Sequence, residues 1–326
     1  MSKILLIDAD SSIPNLALMK ISTYHKCKND DVNFVRLNLS YYPHKKYKTI
    51  DAKDYDVVYV SIIFTTNKDK VNVINCDNIN YGGTGFNIIK KLPECMERQE
   101  LDYSIYPDND TSYGFITRGC IRNCYFCFVP KKEGKLYKEN NWEDIVKHKK
   151  VKFMDNNFLA YSEHKQVLSE LRDNKIKFQF NQGLDARLLD DENSKLLSEC
   201  NYMGEYFFAF DDVRNEKIIS EKITLFKKYV QKDWKIKLFI YCHPDMNIQN
   251  DVLYRIKWCK DRKILPYFMR DISCWDSDNR DLYIDLAAYC NQPSLFKKLT
   301  FEEFIYKRTK NKERINDDLK LVNNII

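Results

Sequence analysis

The stretch Cys120-Ile121-Arg122-Asn123-Cys124-Tyr125-Phe126-Cys127 decides how this chain is read. Three residues and then two separate its cysteines, and an aromatic stands directly before the last. Ser112 to Gly119, ahead of it, reads as a short buried strand, and a lysine-rich loop follows. Thiolates are the usual ligands of iron–sulfur clusters, and a four-iron cube normally takes four. Three close cysteines hold three corners and leave one iron open. Zinc ordinarily takes two Cys or Cys/His pairs from separate knuckles. Here only Cys124 and Cys127 make such a pair, and His148 and His164 are too scattered to complete it. A zinc site and three merely structural cysteines remain the alternatives to the cluster.

Outward from that loop, the chain has 326 residues, 44% hydrophobic and 31% charged, with eleven cysteines and a formal net charge of +6. That is enough chain for one large domain or two ordinary ones. No apolar run is long enough to span a bilayer. Met1 to Asp8 is too short and too acidic at its end for a signal peptide and reads as a first strand. The expectation is a cytoplasmic protein without a membrane partner, where clustered cysteines mean metal or catalysis rather than disulfides. The mild positive charge permits an anionic substrate without requiring one.

From the N-terminus, Lys3–Asp8 is followed by a polar turn and a helix running from Pro14 to about Cys27. Val32–Leu37, the apolar run Asp56–Phe64 and Val71–Cys76 read as strands, and Tyr81–Gly85 as a glycine turn. Residues 1–100 therefore read as a small open Rossmann-like or flavodoxin-like α/β domain, and 101–111 as a linker. From Tyr113 a strand and a helix alternate. The strands are 113–117, 151–155, 177–181, 205–210, 235–241 and 265–270. The helices that alternate with them are 142–149, 162–174, 192–200, 216–231, 251–262 and 282–290. Six βα units over 112–291 predict a parallel sheet closed into a partial barrel, with a helical tail over 292–326. Chemistry in such folds gathers at the C-terminal ends of the strands. Asp155-Asn156-Asn157, Gln182 to Asp185, Asp211-Asp212, His243 to Asp245 and Asp271 all stand there.

The segments Thr117-Arg118-Gly119-Cys120, Asn123-Cys124-Tyr125-Phe126-Cys127 and Val129-Pro130 resemble the core of the radical S-adenosylmethionine superfamily. The likeness extends over Tyr113 to about Cys290. It implies a [4Fe-4S] cluster on Cys120, Cys124 and Cys127, oxygen sensitivity, and an electron donor such as flavodoxin or ferredoxin. It implies reductive cleavage of S-adenosylmethionine to a 5′-deoxyadenosyl radical that takes hydrogen from a substrate. Phe126 matches the aromatic position beside the adenine. Relatives hold the methionine amino group with a Gly-Gly-Glu segment after the second strand. Here that place reads Met154-Asp155-Asn156-Asn157, with Asp155 and Asn156 as substitute acceptors. Gln182, Asp185 and Arg187 follow the third strand, where Arg187 is suited to a bidentate carboxylate contact. Asp211 and Asp212 suit ribose hydroxyls or a helix cap.

The front domain resembles the cobalamin-binding domain of one subgroup. The usual D-x-H-x-x-G segment reads Asp8-Ala9-Asp10-Ser11-Ser12, so the cobalt-ligating His is missing and cobalamin is not expected. Cys27, Cys76 and Cys95 offer a second cluster of the methylthiotransferase kind, but their surroundings match poorly and no C-terminal RNA-binding barrel follows. Cys242, Cys259, Cys274 and Cys290 read as small core residues rather than a further cluster. The basic loop Lys131–Lys138 suits a nucleic acid or nucleotide phosphate, or is simply solvated. The rival from another class is a non-catalytic zinc or iron–sulfur module that binds nucleic acid. Cofactor motifs are shared across the superfamily, so the substrate is not readable here.

Overall fold

Runs of β-branched and aromatic residues make the strands, and the direction of their pairing organises everything else. The computed structural model describes residues 1–39, 47–322 and 325–326. The stretches read as front domain and tail contain 40–46 and 323–324, which lie outside the described residues. The chain is mixed α/β with parallel sheets, and divides into two units. Residues 1–113 with 122–134 form one, and 114–121 with 135–326 the other.

In the first unit, strands β1 (Lys3–Asp8), β2 (Asp31–Arg36), β3 (Lys48–Asp51), β4 (Val57–Ser61), β5 (Val71–Ile74) and β6 (Ile79–Gly82) alternate with helix α1 (Leu16–Lys26) and short α2 (Glu94–Glu97). The order β2-β1-β4-β6 is parallel throughout, and β3 and β5 make a separate parallel pair. Ile4 and Leu6 point to α1 on one face, while Leu5 and Ile7 pack with Val58, Val60 and Ile62 on the other. The expected glycine turn at 81–85 begins later, because Ile79–Gly82 pairs with β4. Gly83 then turns with φ +94, and a Cβ there would lie 2.2 Å from the Ile62 carbonyl oxygen. β3 is a polar KTID segment without alternation, which is why the pattern did not reveal it.

Strand order reverses between β1 and β4, the place where open α/β sheets usually bind ligands. Here the chain's own polar groups fill that place. Asp8 is fully buried and accepts from the Ser11 N–H at 3.0 Å and the Tyr106 hydroxyl at 2.9 Å. Burial pushes the Asp8 carboxyl up, and these donors and Arg36 pull it back. Asp10 accepts from the N–H groups of Ile63 and Phe64 and from the Asn67 amide. Asn15 caps α1 and donates to Ser11 and Ser61. Tyr106 reaches this network from within 101–111, so that segment packs into the first unit.

β7 (Thr111–Gly114) ends at the division. The predicted strand 113–117 stops at Gly114 because the N–H groups of Ile116 and Thr117 go to a side chain, Asp155. The chain resumes as β8 (Thr117–Arg118). After α3 (Val129–Lys132) of the first unit, β9 (Tyr137–Lys138) pairs antiparallel with β8.

The second unit continues with α4 (Trp142–Ile145), β10 (Lys150–Phe153), α5 (His164–Asp173), β11 (Lys177–Phe180), α6 (Asp191–Glu199), β12 (Tyr206–Ala209), α7 (Glu216–Lys227), β13 (Ile236–Cys242), α8 (Tyr254–Asp261), β14 (Leu265–Arg270) and α9 (Arg280–Cys290). β10 pairs with β11, and β12 with β13 and then β14, all parallel. Parallel bridges Phe178–Tyr202 and Leu184–Phe208 join the two sets. The Met154 N–H donates to the Gly114 carbonyl at 2.8 Å, so the end of β7 meets the end of β10. The strands thus follow chain order without reversal. The predicted helix 142–149 stops at Ile145, where Val146 takes extended backbone. The predicted helix 251–262 opens as a wide turn over Ile248–Leu253 before α8.

The tail forms α10 (Pro293–Lys298), α11 (Phe301–Arg308) and α12 (Lys312–Val322). Phe296, Phe301, Phe304, Ile315 and Val322 join the core of this unit. Asp285 of α9 is fully buried and accepts from Arg308 and Arg314. Burial and a hydrogen bond to Asp285 push the Asp318 carboxyl up to about 8. A carboxyl raised in the folded chain contributes stability that is complete below about pH 4 and is lost as pH rises through its folded value. Hydrogen exchange of α12 is therefore expected to accelerate beyond the intrinsic chemical rate as pH rises from about 4 to about 8, and to follow that rate above it. Asp318→Asn is expected to remove that excess while keeping the hydrogen bond. The same excess in Asp318→Asn would refute the shared-proton pair.

Candidate functional site

The approach to the cysteine loop is fixed by Asp155, two residues past β10. This carboxylate is fully buried and accepts from the Ile116 N–H at 3.2 Å, the Thr117 N–H at 2.6 Å and the Thr117 hydroxyl at 2.7 Å. Burial pushes it up to about 7, against the pull of these donors. Thr117 and Arg118 then run against β9, the Arg118 guanidinium lies 4.1 Å over the Phe115 ring, and Gly119 turns with φ +77. A left-handed turn of this kind suits glycine, which has no Cβ to clash.

Cys120 follows directly. The Asn157 side-chain amide donates to its sulfur at 3.4 Å. Asn157 is 2% exposed, and its Oδ1 is buried with no hydrogen-bond partner among the described residues. In the first unit, the Cys127 N–H donates to the Cys124 carbonyl at 3.0 Å, closing a turn across the C-x-x-C pair. Phe126 is half-buried, with the exposed Tyr125 edge-on at 5.3 Å. Pro130 opens α3, and Lys132 donates to Thr84 at 2.7 Å.

The donor set suits an iron–sulfur cluster. Cys120, Cys124 and Cys127 are all half-buried thiols, soft ligands for iron. A buried N–H donor on one of these sulfurs is the kind of outer contact such ligands attract. Among the described residues no group of three or more His, Cys, Asp or Glu is arranged around a single metal position. The thiolates of a cubane bind separate irons and need not converge on one point.

The ends of β11 to β14 carry a second set of polar groups. Gly183 turns with φ +91, Gln182 is exposed and Asn156 is half-buried. Arg187 forms a two-point pair with Asp185, Nε at 2.7 Å and Nη2 at 3.0 Å. Asp211 accepts from the Tyr241 N–H at 3.1 Å, and burial pushes it up to about 6, opposed by Arg255 and Arg187. Asp212 instead caps its own turn by accepting from the Arg214 N–H. Tyr241 donates to Asp271 at 2.7 Å.

Arg255 ties this end together. It is fully buried, donates to the carbonyls of Phe210 at 2.8 Å and Tyr241 at 3.0 Å, and pairs with Asp251. Sequence reasoning missed it, although an Arg sharing a helix face with Val252, Ile256 and Cys259 is a visible signal. Tyr241 was missed too, while Thr117 and Asn157 stood only within quoted segments without a role of their own. Of the remaining cysteines, Cys242, Cys259, Cys274 and Cys290 are buried in the core, and burial pushes the thiols of Cys259 and Cys290 up. Cys27 and Cys95 are exposed and Cys76 is half-buried.

No helix is long and apolar enough to cross a membrane among the described residues. No family model matches the chain, and no curated protein matches it.

Asp155→Asn is expected to lower stability by about 1–3 kcal/mol, because its amide end turns a donor toward donors that now have acceptors. Urea unfolding followed by tryptophan fluorescence measures this. An unchanged midpoint and slope would contradict the role of Asp155 as the clamp on residues 116–117.

Proposed function

We propose that the chain is a radical S-adenosylmethionine enzyme, in which Cys120, Cys124 and Cys127 hold one [4Fe-4S] cluster at the mouth of a partial (β/α)6 barrel. The observation that carries this reading is the C-x-x-x-C-x-x-C loop following the first strand of a row that keeps chain order. Chain order without reversal is the topology of a barrel or barrel fragment, whereas doubly wound sheets reverse. The chemistry supplied there is reductive cleavage of S-adenosylmethionine to methionine and a 5′-deoxyadenosyl radical, which takes hydrogen from a substrate.

The chain's own residues serve placement and exclusion of water. Asp155 holds the turn that delivers Cys120, and Asn157 donates to its sulfur. Phe126 offers an aromatic face for the adenine. The pairs Arg187–Asp185 and Arg255–Asp251, with Asp211, give the strand ends fixed charges for the polar parts of the cofactor and substrate. Low surroundings polarity strengthens each of these contacts. Asn156 and Gln182, half-buried and exposed, are the strand-end groups best suited to meet incoming ligand. An electron donor of the flavodoxin or ferredoxin class is required. The reading places the enzyme in the cytoplasm. The first unit, with its switch point filled by Asp8, Asp10, Asn15 and Tyr106, fits a domain that carries no cobalamin.

Anaerobic reconstitution of the full chain is expected to load about four irons with matching sulfide. Reduction with dithionite in the presence of S-adenosylmethionine is expected to release 5′-deoxyadenosine. Cys124→Ala is expected to lose both. A colourless chain with one zinc, or a fully loaded chain that never forms 5′-deoxyadenosine, would overturn the proposal.

A further inference from the structure

We infer that Asn157 sets the reduction potential of the cluster on Cys120, Cys124 and Cys127; the inference rests on the proposed cluster reading. Three observations carry it. The amide Nδ2 is 3.4 Å from the Cys120 sulfur, the residue is 2% exposed, and Oδ1 is buried without a partner among the described residues. Leaving half of a primary amide unsatisfied in the interior is costly. Among the described residues the contact to sulfur is the hydrogen bond that accounts for the side chain's position. It does not cap the following turn, Phe158–Ala160, which has no side-chain cap.

The side chain is also held from both sides along the chain. Asp155, two residues before, is fastened by the donors of Ile116 and Thr117. Phe158, the next residue, is fully buried and stacked on Phe180 at 4.3 Å with a 23° angle between the rings. Val151 and Phe153 of β10 and Leu159 after it lie in the same core. The backbone on each side of Asn157 is thus pinned by contacts that do not involve the Cys120 sulfur. A donor on a pinned scaffold keeps its place when the charge on its acceptor changes.

The consequence is electrostatic. Reduction adds one electron to the cluster, and part of that charge falls on the thiolate sulfurs. An N–H aimed at sulfur stabilises the more negative state more strongly, so it raises the potential. Removing the donor favours the oxidised state. Asn157 itself is 2% exposed, so little solvent reaches its place to take over the lost hydrogen bond. Asn157 acts through Cys120, and is a positioning and tuning residue rather than a catalytic one.

The test is an EPR-monitored redox titration of the reconstituted full chain, without S-adenosylmethionine. Asn157→Leu removes the donor at nearly constant volume, and Asn157→Ser keeps a smaller hydroxyl donor. At equal iron loading, N157L is expected to shift toward the oxidised state by about tenfold in the oxidised-to-reduced ratio, which is 59 mV for one electron. N157S is expected to shift less than N157L. Equal potentials for wild type, N157L and N157S at equal loading would overturn the role of Asn157 and leave the cluster reading intact. A wild-type chain that takes up no iron would overturn the cluster reading itself.

Discussion

A single buried carboxylate, Asp155, governs how the cysteine loop leaves the sheet. Its oxygens take the N–H groups of Ile116 and Thr117, which a continuing strand would have spent on ladder bonds. The strand therefore ends at Gly114, the chain turns, and Gly119 delivers Cys120. The charge of Asp155 is costly in that position, and burial, even against the pull of its donors, leaves its affinity for a proton raised to about neutrality. Three donors offset that cost. The same short segment, Asp155 to Phe158, also carries Asn157 to the Cys120 sulfur, so the loop's start and its first cysteine are held by one strand end.

At the far side of the second unit the same problem is solved by a cation. Parallel strands that end together leave carbonyls without partners. Arg255 takes those of Phe210 and Tyr241, with Asp251 balancing its charge. A buried pair of this kind contributes little to stability over an apolar substitute, but removing one partner costs several kcal/mol, roughly 3–5. Around it, the charges of Arg187 and Asp185 act in opposite directions on the carboxyl of Asp211. In the first unit the corresponding place at the strand ends is occupied by Asp8, Asp10, Asn15 and Tyr106, which use their hydrogen-bonding capacity on each other and on nearby backbone.

Much of the fold was legible because apolar strands and amphipathic helices write their periods plainly. Leu265–Arg270 was read to the residue, and β10 to β13 to within two residues at each end. Polar strands were not legible: Lys48–Asp51 has no alternation, and Ile79–Gly82 hid behind its glycines. The break of the strand at Gly114 was invisible, since it depends on Asp155, 39 residues away from Ile116 in sequence. The cysteine spacing named the candidate site at once. Its surroundings did not follow, because Asn157, Thr117, Tyr241 and Arg255 are ordinary residue types whose partners are set by tertiary contact alone. Arg187 had been read as a hand for a ligand carboxylate; in the folded chain its guanidinium engages Asp185.

The central claim is a cube of iron and sulfide held by three cysteines with one iron open to a ligand. EPR of the anaerobically reduced chain, recorded before and after addition of S-adenosylmethionine, tests it most directly. The account predicts a signal from one four-iron cluster whose g-values change when S-adenosylmethionine binds the open iron. A fully loaded chain whose spectrum is identical with and without saturating S-adenosylmethionine would contradict it.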